Sequence, residues 1–134
     1  LVDSDKPLEE DDTPKAFLQR EKNWDLKKVD EEQCHLMVQI MESWFLADVE
    51  TLKSYYGQKF NSNAIPKTND VEKIAKTDVE NSLNKATKDT QKGIYHKIQH
   101  GAELLSRIDV IKIRQKAKHC QRIFQTIEEK IEDE

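Results

Sequence analysis

The chain has 134 residues, 36% charged and 36% hydrophobic, with a formal net charge of −4, which fits one small domain with a thin core. Three glycines, three prolines and two cysteines argue against a glycine-rich phosphate loop, a turn-rich β-sandwich and a disulfide framework. The longest apolar run, residues 44–47, is far shorter than the roughly 20 residues of a membrane span, so we expect no membrane segment. The two cysteines cannot form a disulfide framework and no Cys-x-x-Cys pair is present, so we expect a reducing, cytoplasmic location.

Charge is unevenly distributed along the chain. Residues 1–50 hold 14 acidic and 6 basic residues, whereas residues 85–122 hold 3 acidic and 10 basic ones. This asymmetry predicts an acidic pocket beside a basic surface, which suits a cation and a polyanion. The alternative is that both blocks lie on solvated helix faces.

Two strands are predicted in the first third of the chain. Residues 1–2 are typical of the end of a buried strand and lead into an exposed acidic loop. The apolar run within residues 34–39 lacks clean alternation, which is typical of a parallel strand covered on both faces. We therefore predict a small parallel sheet.

A short helix is predicted between these strands. Thr13 followed by Pro14 is an N-cap with proline at the first helical position, which indicates a helix over Pro14–Glu21. We expect its inward-facing residues to be Ala16, Phe17 and Leu18.

The pattern becomes helical from residue 41 onward. Apolar residues recur at helical spacing over 41–56, with Gly57 as a stop signal and Asp48 able to cap a second segment. Trp44 and Phe45 lie in this apolar stripe, so we interpret them as core residues and not as a platform for stacked bases.

The remaining helices follow from local signals and spacing. Thr77 and Glu80 form a capping box that predicts the start of a helix, and another helix is expected over 102–108. Beyond it, apolar residues alternate spacings of three and four, as in a heptad seam. The seam consists of Val110, Ile113, Ala117, Cys120, Phe124, Ile127 and Ile131. We expect it to pack within the monomer, with a helix break near His119; the alternative is an oligomerisation helix.

Asp3 and Asp5 are the clearest candidates for metal ligands. Both directly follow the first predicted strand, at the sheet edge where open α/β folds build their sites. Hard divalent cations prefer such oxygen ligands, so we predict binding of Mg²⁺ or Mn²⁺. The alternative is an aspartate-rich turn that is merely solvated.

Four segments, in order and at similar spacing, resemble a bacterial and archaeal family called domain of unknown function 4276. They are residues 1–5, 35–48, 92–97 and 119–120. The most specific is the string Met41-Glu42-Ser43-Trp44-Phe45-Leu46-Ala47-Asp48. That family looks like a divergent Toprim domain, the metal-dependent fold of topoisomerases, primases and certain nucleases, and its genes often lie beside ATPase genes.

The resemblance implies an α/β, Toprim-like fold with an incomplete parallel sheet and predominantly helical structure from residue 41 onward. Residues 1–134 would form a single domain, the C-terminal portion of a Toprim-like domain. Residues 1–57 would be its strand and helix half with the metal site, and residues 58–134 its helical basic half. A Toprim site also needs a glutamate on an earlier strand, which would precede Leu1. The chain would then be a fragment, or its site would be completed elsewhere or be inactive.

The resemblance also implies roles for individual acids. Asp3 and Asp5 match the Asp-x-Asp motif that binds Mg²⁺. Glu42 becomes the candidate for a third acidic ligand or a general base. Capping and solvation are the alternative roles for Glu42 and Asp48.

The basic block contains the candidates for contact with nucleic acid. Lys92, Lys97 and Arg114 are expected to bind phosphates, and His96 and His100 to assist them. The two histidines are four residues apart, which would also suit zinc, although no third ligand is near at a useful spacing. Cys34 and Cys120 are expected in the core, and no partner is predicted for His35.

We therefore expect Mg²⁺-dependent phosphodiester hydrolysis by a Toprim-like nuclease that acts with a partner ATPase in prokaryotic defence. Nucleic acid would be bound through its backbone. The main alternative is a non-catalytic helical module for protein–protein interaction. A weaker one is a regulatory zinc-binding protein that uses His96 and His100.

Overall fold

The computed structural model describes residues 1–132, which form two short parallel strands and a mostly helical remainder. Strand β1 (Val2–Asp3) pairs with β2 (Leu36–Met37), and α1 (Pro14–Glu21) lies between them in the chain. The later helices are α2 (Met41–Leu46), α3 (Val49–Tyr56), α4 (Lys76–Thr87), α5 (Ala102–Arg107), α6 (Val110–Lys116) and α7 (Lys118–Glu132). This arrangement is compatible with the predicted α/β class. The last two residues of the acidic tail, 133 and 134, lie outside the described residues.

Strand β2 is shorter than the six residues predicted. Its partner β1 contributes two paired residues, and Asp5 then adopts a left-handed backbone with φ 65°, which ends the extended ladder. The expected burial on both faces is confirmed, because the side chains from Cys34 to Ile40 are buried except for the half-buried Met37.

Helix α1 has the predicted bounds. The backbone N–H of Ala16 donates to the Thr13 hydroxyl at 3.2 Å, so Thr13 is the N-cap. Phe17 and Leu18 are buried and pack with Leu36 of β2, but Ala16 is exposed, contrary to prediction. Because α1 packs against one small hydrophobic cluster, fewer of its side chains are buried than predicted.

The segment from Met41 to Tyr56 is two helices, as the capping signal at Asp48 allowed. The Asp48 carboxylate accepts from the N–H of Thr51 at 3.2 Å and thereby caps α3. Gly57, at φ 72°, ends α3, in a conformation that glycine adopts without steric cost. Trp44 and Phe45 are buried in the main core, as predicted.

Helix α4 begins at Lys76, with Ala75 at the N-cap position, so the predicted capping box at Thr77 and Glu80 is wrong. A distant side chain takes over the capping role: the Lys76 N–H donates to Oε1 of Gln39 at 3.1 Å. The first turn of α4 thus has its hydrogen-bond acceptor from a residue distant in the sequence and not from a neighbouring one.

The heptad seam is divided between two helices. α6 ends at Lys116 and α7 begins at Lys118, so the predicted break falls two residues before His119. Ile113, Ala117 and Cys120 are buried in the main core, but Ile127 and Ile131 are 45% and 65% exposed. The expectation that the whole seam packs within the monomer is therefore wrong, because α7 extends beyond the core. Within residues 1–132, no helix is both long and apolar enough to cross a membrane.

Candidate functional site

A cleft of about 340 Å³ lies at the C-terminal edge of the two strands. Carboxylates and lysines from separate segments meet in it. We call it the carboxylate cleft; its polar lining includes Asp3, Asp5, Glu42, Lys76, Tyr95 and Lys97. The structure thus brings together the three acids named from the sequence.

Asp3 is the last residue of β1 and is fixed to the start of α2. Its Oδ1 accepts from the N–H of Met41 at 2.9 Å. Burial raises the pKa of Asp3 above its ordinary value of 3.8, the charges of Glu42 and Asp5 add to this, and Lys97 and the Met41 N–H oppose it. A cation in the cleft would stabilise the ionised form of Asp3.

Asp5 is held by two lysines, neither of which any sequence motif places at the site. Its carboxylate lies 3.3 Å from Lys22 Nζ and 3.2 Å from Lys76 Nζ. Burial is the largest single influence and would raise the pKa of Asp5, but the hydrogen bonds and charges of Lys76 and Lys22 together lower it. Asp5 is therefore already paired with positive charge.

Glu42 lies in the first turn of α2 and is buried. The hydroxyl of Tyr95 donates to its Oε2 at 2.7 Å. Burial and this carboxylate raise the pKa of Tyr95 far above its ordinary value of 10.0, so the hydroxyl keeps its proton at neutral pH. The pair is a fixed hydrogen-bonded unit that orients one carboxylate.

Tyr95 is held in this position from both ends. Its N–H donates to the Thr87 hydroxyl at 2.8 Å, and its ring packs edge-on against Phe45. A Cβ at residue 101 would lie 3.0 Å from the Tyr95 hydroxyl oxygen, so Gly101 allows this close approach. Tyr95 lies in segment 92–97, which carries the family resemblance, but no sequence spacing pairs it with Glu42, 53 residues earlier in the chain.

The carboxylate cleft suits only a cation that takes most of its ligands from water. In the described part of the chain, no group of three or more His, Cys, Asp or Glu is placed to hold a metal ion. Mg²⁺, however, is often bound through one or two carboxylates while it keeps several waters, and Asp3 and Asp5 supply donors of that kind. Lys22 and Lys76 would have to release Asp5 before it could coordinate a cation.

The predicted phosphate-binding residues lie in different surroundings. Lys97 lines the carboxylate cleft, and Lys92 Nζ lies 4.8 Å from the ring centre of Tyr55. Arg114 is bound to Glu128 and Gln121 between α6 and α7. Of these three predicted residues, Lys97 alone lines the carboxylate cleft with its acids.

The two histidines of the weaker zinc alternative form hydrogen bonds with nearby backbone groups. His96 Nδ1 accepts from the N–H of Gln99 at 3.2 Å, and His100 Nδ1 accepts from the N–H of His96 at 3.1 Å. His100 is buried, with the hydroxyl of Tyr56 also 3.1 Å from Nδ1. The ring of His100 is only 7% exposed, and the expected phosphate contact by His100 stays a prediction.

The other residues singled out from the sequence lie outside the carboxylate cleft. Cys34 and Cys120 are buried, as predicted. Burial raises the pKa of Cys120 to about 11, so it remains a neutral thiol. His35 has a partner after all, because Nη1 of Arg122 lies 2.9 Å from its Nδ1. Asp48 is a buried capping residue and does not line the carboxylate cleft.

Comparison with known proteins gives one positive result. The profile of the family described as Domain of unknown function 4276 matches residues 1–128. No curated protein and no solved structure matches the chain. The matched region includes both strands and every residue named above for the carboxylate cleft. The chain therefore belongs to the domain of unknown function 4276 family.

Proposed function

We propose that the protein hydrolyses phosphodiester bonds of nucleic acid with Mg²⁺ or Mn²⁺ in the carboxylate cleft, as a Toprim-like nuclease. One observation carries the proposal: Asp3, Asp5 and Glu42 meet Lys76 and Lys97 at the carboxyl edge of a parallel strand pair. Ligand sites of open α/β sheets lie at this edge. The acids suit a cation, and the lysines suit the phosphate.

Asp3 and Asp5 would hold the cation. When bound, it would polarise the phosphodiester and lower the pKa of a water molecule. The cation would stabilise the ionised form of Asp3 most, because this carboxylate is desolvated and lies beside two other acids. Lys76 would leave Asp5 and bind a phosphate oxygen instead, because a lysine side chain is long and flexible.

Glu42 would accept a proton from the attacking water. The Tyr95 hydroxyl binds its Oε2 and thereby restrains the carboxylate, which favours a productive orientation. Lys97 contributes positive charge to the cleft, as its effect on Asp3 indicates. Its role would be to attract the phosphate and to stabilise the charge that develops on it.

Metal titration and a cleavage assay test the proposal together. Mg²⁺ and Mn²⁺ are titrated by calorimetry into the wild type, Asp3→Asn and the control Asp11→Asn, whose carboxylate lies in the exposed acidic loop. We expect Asp3→Asn alone to lose the binding heat. Cleavage of labelled DNA and RNA should fall by about 10²- to 10⁴-fold in Glu42→Gln, the range for loss of a general base.

Two results would refute the nuclease proposal. One is a metal titration of Asp3→Asn that matches that of the wild type. The other is the absence of cation-dependent cleavage of DNA, RNA and a small phosphodiester such as bis(p-nitrophenyl) phosphate. Circular dichroism of each variant confirms that the fold is retained.

Action with a partner ATPase in prokaryotic defence belongs to the same proposal. Its support is the family resemblance, in which neighbouring genes encode ATPases. The resemblance predicts an ATPase gene beside that of this protein. Co-expression of the protein with such an ATPase, followed by size-exclusion chromatography, tests the partnership. Separate elution of the two proteins, with and without ATP, would refute it.

A second candidate function is a helical module for protein–protein interaction. The observation that favours it is the exposure of Ile127 and Ile131, which lie one turn apart on α7. If α7 docks on a partner, Ile127→Asp should abolish that association and leave the fold intact. Light scattering and thermal unfolding of this variant separate the two effects.

A further inference from the structure

A second groove, of about 720 Å³, lies at the end of α3. Gly57 ends the helix there, and the half-buried ring of Tyr55 forms part of the wall. Lys59 and Lys92 line the groove together with one acid, Asp89. We call it the Tyr55 groove; its charged lining is more basic than acidic.

The ring of Tyr55 is supported from inside the protein and has cations beside it. Tyr56 and His100 pack edge-on against it, with ring centres 5.0 Å and 6.0 Å away. Lys92 Nζ lies 4.8 Å from the ring centre, and Cζ of Arg107 lies 5.4 Å from it. Arg107 is also paired with Glu103, which leaves Lys92 as the cation better suited to a new anionic partner.

The Tyr55 groove is linked to the carboxylate cleft by aromatic contacts. His100 lies 6.0 Å from Tyr55 and 6.4 Å from Tyr95, measured between ring centres. Tyr95 lines the cleft and binds Glu42. Because His100 is buried, these contacts run through the interior, and a bound strand would pass over the surface between the two sites. Its backbone charges would follow one another about every 3.4 Å.

We propose that the Tyr55 groove binds single-stranded nucleic acid, with one base stacked on Tyr55 and phosphates bound by Lys92 and Lys59. Aromatic rings that stack bases, beside cations that track the backbone, are the two components of single-strand binding sites. The flexible Lys92 side chain leaves the ring for the phosphate when the base arrives. The proposal rests on the proposed function in one respect: the bound strand continues into the carboxylate cleft.

Fluorescence anisotropy in EDTA tests the groove independently of metal and cleavage. The probes are a deoxythymidine strand of about 12 nucleotides, within the site sizes of single-strand binding folds, and an abasic strand of equal length. The variants are Tyr55→Ala, Tyr55→Leu and Tyr55→Phe. Trp24→Ala is the control, because it removes an exposed aromatic ring that does not line the groove.

We expect Tyr55→Ala and Tyr55→Leu to raise the Kd for the deoxythymidine strand roughly 5- to 150-fold, the range for loss of one stacked base. Their Kd for the abasic strand should equal that of the wild type. Tyr55→Phe and Trp24→Ala should bind both strands like the wild type. Lys92→Gln should weaken both strands and reduce the salt slope by about 0.7, the value for one single-strand phosphate contact.

Three results would overturn the inference. The first is that Tyr55→Ala and Tyr55→Leu both bind the deoxythymidine strand as tightly as the wild type does. The second is that these variants weaken binding of the abasic strand as much as that of the deoxythymidine strand, and the third is that the wild type binds neither strand. The second would show a polyanion site without base stacking. Failure of the proposed function is observed separately, as absence of cation-dependent hydrolysis while the base-dependent effect of Tyr55 persists.

Discussion

Replacement of Asp48 tests how two helices depend on one buried carboxylate. Asp48 is 1% exposed. It accepts from the N–H and the hydroxyl of Thr51 at 3.2 Å and 2.6 Å, and from the N–H of Asp109 at 2.8 Å. Lys112 Nζ lies 3.6 Å away. The same side chain therefore caps α3 and holds the residue that precedes α6.

The size of the effect follows from these contacts. Loss of an N-cap costs about 1 kcal/mol, and a polar group left without its partner costs about 1–3 kcal/mol. The half-exposed Lys112 adds little, because solvent screens its charge. Asp48→Ala should thus lower the free energy of unfolding by about 2–4 kcal/mol. Asp48→Asn keeps one acceptor oxygen and should cost roughly half as much.

Urea unfolding at pH 7 measures these changes, with Asp109→Ala as the matched control. Asp109 is an exposed cap whose carboxylate accepts from the N–H of Ile111 at 3.0 Å, so its loss should cost about 1 kcal/mol. The urea m-value should stay constant across the series. A cost for Asp48→Ala no larger than that for Asp109→Ala would refute the double-capping argument.

The pH dependence gives a second check on Asp48. Burial is the largest influence and would raise its pKa, but the bonds from Thr51 and Asp109 and the charge of Lys112 outweigh it and lower the pKa below 3.8. The stabilisation is therefore fully present above pH 3.8 and is lost as the pH falls through the lower pKa of the folded state. The stability difference between wild type and Asp48→Ala should shrink correspondingly in acid.

Three further predictions concern other parts of the chain. Burial lowers the pKa of His100 below 6.5. Its neutral ring therefore stabilises the fold fully above pH 6.5 and progressively less as the pH falls toward the folded-state pKa. The urea midpoint of His100→Gln should depend less on pH between 7.5 and 5 than that of the wild type. Ile113 is fully buried and Ile127 is 45% exposed, so Ile113→Ala should cost about 2–5 kcal/mol in urea unfolding and Ile127→Ala less than about 0.5 kcal/mol. Lys97 lowers the pKa of Asp3, so Lys97→Met should raise that pKa in a carboxyl NMR titration, and an unchanged titration would show that Lys97 does not act on Asp3.

The parts of the fold that were predicted well depend on contacts within a few residues. Helix α1 begins after Thr13 because that hydroxyl accepts an N–H three residues later, and α3 begins after Asp48 for the same reason. Gly57 ends α3 through its own backbone preference. Such signals are complete in the sequence, since donor and acceptor are chain neighbours.

The candidate site was predicted only in part. Asp3 and Asp5 stood out because they follow a strand, and Glu42 because of the family resemblance. The lysines that hold Asp5 could not be identified, since Lys22 is 17 residues away and Lys76 is 71. Long flexible side chains reach an acid from many positions, so sequence spacing does not indicate which of them does.

By itself, the sequence determined the starts of α1 and α3, the end of α3 at Gly57, the burial of Trp44 and Phe45, and the family of the chain. Tertiary structure alone decided that Gln39 caps α4, that Tyr95 binds Glu42 across 53 residues, and that α7 carries Ile127 beyond the core. The physical reason is the range of the interactions. A cap or a turn depends on backbone geometry within one helical turn, whereas burial and long-range hydrogen bonds depend on which surfaces meet when the helices pack.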